Sequence, residues 1–198
     1  VVRLLTEQAA VEKLAYVMAN PVKAGLVYRA KDWPGITVLP QELGRRTFVI
    51  ARPEGFFDPD NPKWPDQVQL TLALPPALER CYTPDAIRAA VAHELRRQEL
   101  HAQREVRARG WRVLGSDRVR HLSPYQRATS LEPLRSRNPT FAVGRGQRKA
   151  FFEAVTRLRA FRRAYRDAFE QWRSGVRGVV FPQGTWCMCR VHGAVAQT

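Results

Sequence analysis

The chain has 198 residues, enough for one large domain or two small ones with a buried core. Its 33 Lys and Arg residues stand against 18 Asp and Glu residues, so the formal net charge is +15. This excess favours a polyanionic partner, with nucleic acid ahead of an anionic membrane surface. No apolar run approaches the ~20 residues that a transmembrane helix needs, so we expect no membrane partner.

The first predicted element is a helix over residues 7–19, which should end before Pro21. Tyr16 and Asn20 lie four residues apart and share one face of this helix. A phenol and an amide held side by side could serve as a nucleophile and a metal ligand, or they could be ordinary surface groups; spacing alone favours the surface interpretation. Val1 stands where an initiator methionine would, which is expected of the later part of a longer protein or of a non-standard start.

Two strands are predicted next. Residues 46–51 are rich in β-branched and aromatic side chains, and residues 67–74 alternate between polar and apolar. The apolar members of the second run fall on one side, as in a half-buried strand: Val68, Leu70, Leu72 and Leu74. We therefore expect a small antiparallel sheet as a subdomain over 41–80, after a first segment over 1–40.

Two long arginine-rich helices are predicted over residues 83–110 and 146–173. The first begins at Thr83-Pro84-Asp85, which offers a capping hydroxyl, a proline at the first helical position and an acid in the first turn. The second carries an aromatic stripe at three- and four-residue steps, typical of a core or of a seam with a partner helix. Gly175 can cap its end.

The remaining segments of this C-terminal part are shorter. Residues 111–146 contain several prolines and serines and are expected to be irregular. Residues 179–186 and 187–191 predict two strands joined by a Pro-Gly turn, so a basic helical extension over 81–198 should end in a β-hairpin. Three cysteines, Cys81, Cys187 and Cys189, provide no disulfide framework, and their odd number fits a reducing cytoplasm.

The common catalytic motifs are missing from the sequence. It has no Gly-x-Ser-x-Gly elbow and no phosphate-binding loop that ends in Gly-Lys-Ser or Gly-Lys-Thr. His93 and Glu94 are followed by Arg97 where a zinc-binding His-Glu-x-x-His motif needs its second histidine. His93 and His101 could share a helix face, but such a pair without a third ligand is nearly always structural or solvated.

One stretch resembles a known family. Residues 16–27 (YVMANPVKAGLV), followed by Asp32-Trp33-Pro34-Gly35, resemble the C-terminal end of the catalytic domain in IS200-like (Y1) transposases, closest to those associated with repetitive extragenic palindromes. The tail VVFPQGTW over 179–186, after two arginine-rich helices, is similar to the C-terminal extension of longer bacterial members. The resemblance implies an α+β fold: the last helix of a ferredoxin-like domain, then a small antiparallel sheet and two basic helices.

The resemblance also implies a chemistry. Tyr16 matches the nucleophile that attacks a phosphodiester of single-stranded DNA to give a 5′-phosphotyrosine, and Asn20 matches one ligand of an Mg²⁺ or Mn²⁺ ion. The other ligands in that family are a His-hydrophobic-His pair, which this sequence lacks. The chain is therefore expected to be an N-terminally truncated or inactive piece of a DNA transposase, and enzymatic activity stays open. The alternatives are a non-catalytic nucleic-acid-binding protein derived from a transposase, and a structural protein whose helices pair with a partner.

The expected partner is single-stranded or hairpin DNA in a bacterial cytoplasm, and the resemblance allows a homodimer. Basic residues on the predicted helices are the candidates for holding the DNA backbone. These candidates are Lys23, Arg96, Arg97, Arg104, Arg107, Arg159, Arg162, Arg163 and Arg166.

Overall fold

The computed structural model describes residues 2–53, 55, 58, 60–123, 125, 127 and 139–197. It combines helices with small sheets, so the fold is α+β in general terms. The helices are α1 (Glu7–Lys23), α2 (Pro76–Glu79), α3 (Pro84–Ala108), α4 (Ser116–Arg120), α5 (Arg148–Arg173) and α6 (Trp186–His192). The strands are β1 (Arg3–Leu4), β2 (Thr47–Ala51), β3 (Gln67–Thr71), β4 (Phe141–Ala142), β5 (Val180–Phe181) and β6 (Val195–Ala196). The chain divides into two compact units, Val1–Arg145 and Gly146–Thr198.

Helix α1 begins at Thr6, whose side-chain oxygen accepts the N–H of Ala9 at 3.2 Å. The prediction that the helix ends before Pro21 is wrong, because α1 continues through this proline to Lys23. Pro21 lies in the last turn, where its missing N–H removes one hydrogen bond and the chain leaves the helix soon afterwards. The carbonyl of Pro21 still accepts the N–H of Leu26 at 2.9 Å, which helps to close the helix end.

The core of the first unit lies between α1 and α3. The predicted start of α3 is confirmed: the hydroxyl of Thr83 accepts the N–H of Ala86 at 3.3 Å, and Pro84 is the first helical residue. Small residues on α1 let the two helices approach closely, and larger apolar residues fill the remaining space. The buried set includes Ala15, Ala19, Leu78, Ile87 and Val91. A buried carboxylate, that of Glu99, accepts the N–H of Ala30 at 2.7 Å and fixes the turn after α1.

Strands β2 and β3 form the expected antiparallel pair, with Phe48 opposite Leu70 and Ile50 opposite Val68. The prediction of a half-buried second strand is wrong, since Val68 is 50% exposed and Leu70 46% exposed. Alternation predicts which side chains share a face, but burial also requires another layer to cover that face. Among the described residues only the end of the predicted run reaches the core, at Leu74.

The segment predicted to be irregular contributes to the first unit at its end. Within it, α4 forms a short helix and β4 pairs in parallel with β1, so that Phe141 lies opposite Arg3. Gly144 then passes so close to α1 that an added Cβ would lie 2.6 Å from Cβ of Gln8. Its N–H donates to the Thr6 hydroxyl at 2.9 Å, which brings Arg145 to the side of α1. Residues 128–138 of the predicted linker lie outside the described residues.

The second unit packs the C-terminal half of α5 on a small core around Phe181, which has no exposed surface. The predicted terminal β-hairpin is wrong. Trp186–His192 forms α6, and β5 and β6 pair in parallel on either side of it in the chain. A parallel pair needs a crossover connection, which α6 supplies. Gly193, with φ of +64°, ends this helix in the left-handed conformation.

Candidate functional site

Tyr16 and Asn20 have different surroundings. Tyr16 is half-buried and lines a pocket of about 340 Å³ between α1, α3 and the residues that follow β4. Asn20 is exposed and does not line this pocket. The structure therefore does not place these two side chains in one site. Around Tyr16 it brings together several cationic groups instead: Lys13, Lys23, Arg97 and Arg145.

Two ammonium groups lie close to the aromatic ring of Tyr16. The Nζ atom of Lys23 lies 3.8 Å from the ring centroid, and that of Lys13 lies 4.6 Å from it. Both distances are within the range of a cation–π interaction. Lys23 also donates to Oε1 of Gln98 at 2.7 Å. Its burial, together with the charge of Lys13, lowers the pKa of Lys23 below the ordinary value.

A hydrogen-bonded network on α3 forms one wall of this pocket. The Nε atom of Arg97 donates to Glu94 at 2.6 Å, and a second guanidinium nitrogen donates to the other oxygen of the same carboxylate. Gln98 donates to Glu94 at 2.8 Å and to the carbonyl of Glu12 at 3.0 Å. The hydrogen bond from Arg97 is the main reason why the pKa of Glu94 lies below its usual range.

The charge that remains in the pocket is positive. Glu94 is satisfied by Arg97 and Gln98, and the carboxylate of Glu12 accepts the backbone N–H of Arg145 at 3.1 Å. The two lysines that flank Tyr16 form no ion pair among the described residues. Such a cavity suits an oxyanion, because a phosphate oxygen could replace the water that hydrates these ammonium groups.

Replacing Glu94 by glutamine should change how stability depends on pH. The pKa of Glu94 is lowered in the folded state, so its contribution is present above the ordinary pKa of 4.5 and is lost as the pH falls through the lowered value. At pH 7 we expect Glu94→Gln to cost about 1 kcal/mol, the worth of a charge-assisted pair on a helix. The difference in unfolding free energy between wild type and Glu94→Gln, measured by urea unfolding, should become smaller below about pH 4.

The matched control for this prediction is the exposed Glu79, which forms no ion pair among the described residues. Glu79→Gln should leave the unfolding free energy within about 0.5 kcal/mol at either pH. A deficit in Glu94→Gln that stays constant from neutral to acidic pH would contradict the assigned pairing.

The metal site that the resemblance implies does not fit the residues found here. Among the described residues, no group of three His, Cys, Asp or Glu side chains lies close enough to hold a metal ion. Asn20 stands outside the Tyr16 pocket, and the ammonium groups of Lys13 and Lys23 would repel a divalent cation beside the phenol. His101 lines the pocket, but its nearest acid is Glu105, with Nδ1 at 3.6 Å from the carboxylate. We therefore derive no step through a metal.

The predicted DNA contacts lie in three places. Lys23 and Arg97 line the Tyr16 pocket. Further along α3, three exposed arginines project from the outer side of the helix and form no ion pair among the described residues: Arg96, Arg104 and Arg107. In the second unit, four exposed arginines of α5 also form no ion pair in the described part of the chain: Arg159, Arg162, Arg163 and Arg166.

Sequence reasoning missed two of the cations in the Tyr16 pocket. Lys13 precedes Tyr16 by three residues on the same helix, and this helical spacing could have identified it. Arg145 is distant in sequence and reaches the pocket only through the pairing of β1 with β4 and the close approach of Gly144. No local pattern predicts that approach.

No helix in the described part of the chain has both the length and the apolar composition needed to cross a bilayer. Comparisons with protein-family models, with curated proteins and with solved structures find no match to this chain.

Proposed function

We propose that this protein is a relative of the Y1 transposases that binds single-stranded DNA through its phosphate backbone. One observation carries the proposal: the arginines on the outer side of α3 and along α5 are exposed and form no ion pair among the described residues. The stretch over residues 16–35 resembles the transposase motif, and this resemblance is why we propose single-stranded DNA rather than another polyanion.

The unpaired state of the α5 arginines is informative because acids are available to them. Glu153 precedes Arg157 by four residues and Asp167 follows Arg163 by four, yet neither pair forms an ion pair. Four pairs of arginines instead lie three or four residues apart: Arg159 with Arg162 and with Arg163, and Arg166 with Arg162 and with Arg163. Like charges at these spacings destabilise a helix by about 0.2–0.5 kcal/mol for each pair. A bound polyanion would remove this repulsion, which favours a phosphate backbone as the partner.

The Tyr16 pocket would hold one phosphate group of bound single-stranded DNA. Lys13 and Lys23 offer ammonium donors near the ring, and Arg145 also lines the pocket. Arginine and lysine recognise phosphate in different ways, the first through a planar fork and the second as a point charge. This pocket supplies both: Lys13 and Arg145 are exposed, whereas Lys23 is half-buried, where its charge is screened less than on an open surface.

The test is direct binding of a fluorescent oligodeoxythymidylate of about 20 nucleotides, followed by anisotropy at low salt. We expect saturable binding that weakens when both pocket lysines are replaced, in Lys13→Gln/Lys23→Gln. Absence of binding at about 50 mM salt, where backbone attraction is strong, would overturn the proposal.

A second candidate function is strand cleavage by Tyr16, which the pocket favours because it holds this phenol among cations. In that reaction the Tyr16 hydroxyl loses its proton to water and its oxygen forms a bond to phosphorus, while the bond from phosphorus to the 3′ oxygen breaks and the released 3′ oxygen takes up a proton. The cations could stabilise the negative charge that develops on the phosphate. Glu12, Glu94 and His101 line the pocket with Tyr16, but among the described residues the Tyr16 hydroxyl forms no hydrogen bond to any of them, and no group of three His, Cys, Asp or Glu side chains could hold a metal ion.

We therefore expect no covalent adduct when this chain is incubated with single-stranded hairpin DNA and Mn²⁺. The readout is a denaturing gel that detects labelled DNA attached to protein. An adduct that forms in the wild type and is lost in Tyr16→Phe would establish cleavage and make binding only one part of the function.

A further inference from the structure

Helix α5 carries its basic residues mainly on one flank. With ~3.6 residues per turn, six arginines fall within a sector of about 100° around the helix axis. They are Arg148, Arg159, Arg162, Arg163, Arg166 and Arg173. We call this set the α5 stripe. It runs for roughly 38 Å along the helix at ~1.5 Å per residue, and Glu170 is an acid within the same sector.

An aromatic side chain lies in this sector as well. Phe152 is 65% exposed, although it stands on a helix whose other aromatics mostly turn towards a core. Its ring contacts Phe151 edge-on, with the ring centroids 5.8 Å apart. Viewed down the helix axis, Phe152 projects in a direction between those of Arg159 and Arg163. An exposed ring therefore lies in the same sector as the guanidinium groups. Tyr165, Phe169 and Trp172, by contrast, pack against the buried residues of the second unit.

We infer that the α5 stripe holds one strand of nucleic acid, with the arginines on successive phosphates and Phe152 stacked on a base. This inference rests on the proposed function and adds the flank of α5 that the strand follows and the stacking of a base on Phe152. A groove that combines positive charge with aromatic rings is how proteins bind single strands without sequence preference. A duplex offers no unstacked base to Phe152, whereas every base of a single strand has a free face.

The partner must also carry a charge pattern that complements the α5 stripe. All six members of the α5 stripe are exposed, and none forms an ion pair among the described residues. A lipid surface would need the apolar face of α5 to enter the bilayer, but the C-terminal half of that face is packed on Phe181 and its neighbours. The stripe therefore fits a linear polyanion better than a membrane.

The first experiment measures the salt dependence of binding to oligodeoxythymidylate for the full chain and two variants. The variant Arg159→Gln/Arg162→Gln/Arg166→Gln removes three charges from the stripe, so the slope of log K against log salt should become shallower by about 2. Arg157 lies on the opposite flank of α5 and is the matched control. Arg157→Gln should leave the slope almost unchanged. Equal effects of the two variants per charge removed would overturn the inference, because net charge alone would then explain binding.

The second experiment tests the ring. Phe152→Leu should weaken binding to a single strand roughly tenfold, the size of one lost stacking contact, without changing the salt slope. Phe152→Tyr should restore the affinity, and binding to a duplex should respond to neither change. Identical affinity of wild type and Phe152→Leu would overturn the inference.

The outcomes separate this inference from the proposed function. If the wild type binds single-stranded DNA but the triple variant keeps the full slope, the strand lies elsewhere and only the inference fails. If the wild type binds no DNA, the proposed function fails. If the triple variant loses binding to phosphatidylserine vesicles but keeps its affinity for DNA, the stripe is a membrane surface and the inference is overturned.

Discussion

Replacing Phe181 by alanine should unfold the second unit. Phe181 has no exposed surface and contacts the rings of Tyr165 and Trp172, with centroids 5.7 and 6.1 Å away. Truncating a fully buried phenylalanine costs about 3–5 kcal/mol, because transfer free energy is lost and a cavity remains. A unit of about 50 residues has roughly 3–8 kcal/mol of stability in total, so this loss removes most of it.

Hydrogen exchange followed by mass spectrometry measures this effect where it occurs. The amides in the C-terminal half of α5 should lose most of their protection in Phe181→Ala, since that half packs on the removed ring. The neighbouring Val180 is 50% exposed and provides the control. Val180→Ala should cost less than about 1 kcal/mol. Unchanged protection of α5 in Phe181→Ala would show that this small core does not hold the helix.

The same substitution links stability to the proposed function. Loss of the core would fray α5 and scatter the arginines of the α5 stripe, so binding to single-stranded DNA should weaken together with the amide protection. The attraction to DNA would not vanish, because the arginines keep their charge in an unfolded segment. For this reason the α5 stripe is tested with substitutions of its surface arginines and not with substitutions in the core.

Helix positions could be predicted from the sequence where local chemistry decides them. Thr83, Pro84 and Asp85 mark the start of α3 by capping, by a preset φ angle and by charge at the helix end, none of which depends on the rest of the fold. The end of α1 was predicted too early because the effect of Pro21 depends on its place in the helix. A proline in the last turn removes a single hydrogen bond and is tolerated.

The tail shows where periodicity alone is insufficient. Residues 187–191 are short and partly apolar, and such a run fits a strand or one turn of a buried helix equally well. Burial of Met188 against Phe181 and Ala194 selects the helix, and this contact is tertiary. The prediction that β3 is half-buried was wrong for a similar reason. The alternating pattern predicts which side chains share a face, but not whether another layer covers that face.

The candidate site could be predicted only in part. Tyr16 and Lys23 belong to one helix, and the resemblance of this stretch to a transposase motif draws attention to both. The grouping of Tyr16 with Arg97 and Arg145 depends on how α1 packs on α3 and on the pairing of β1 with β4. Asn20 was expected beside Tyr16 because the two share a helix face, yet Asn20 does not line the pocket, whereas Ala9, Lys13 and Lys23 of the same helix do.

Binding of single-stranded DNA should depend steeply on salt, and the effect is large. Each phosphate neutralised by a lysine or arginine contributes a slope of about −0.7 to log K against log salt for a single strand. If the α5 stripe alone engages about six phosphates, the slope is about −4 and the affinity falls roughly 300-fold between 50 and 200 mM salt. The pocket lysines add to this, so Lys13→Gln/Lys23→Gln should reduce the steepness by about 1.

The measurement that tests the central claim most directly is therefore a salt titration of wild-type binding to oligodeoxythymidylate, read by fluorescence anisotropy. Backbone binding predicts a straight line of slope about −3 or steeper over 50–200 mM salt. A slope near zero, or no binding at the lowest salt, would contradict the claim that this basic protein holds single-stranded DNA by its phosphates.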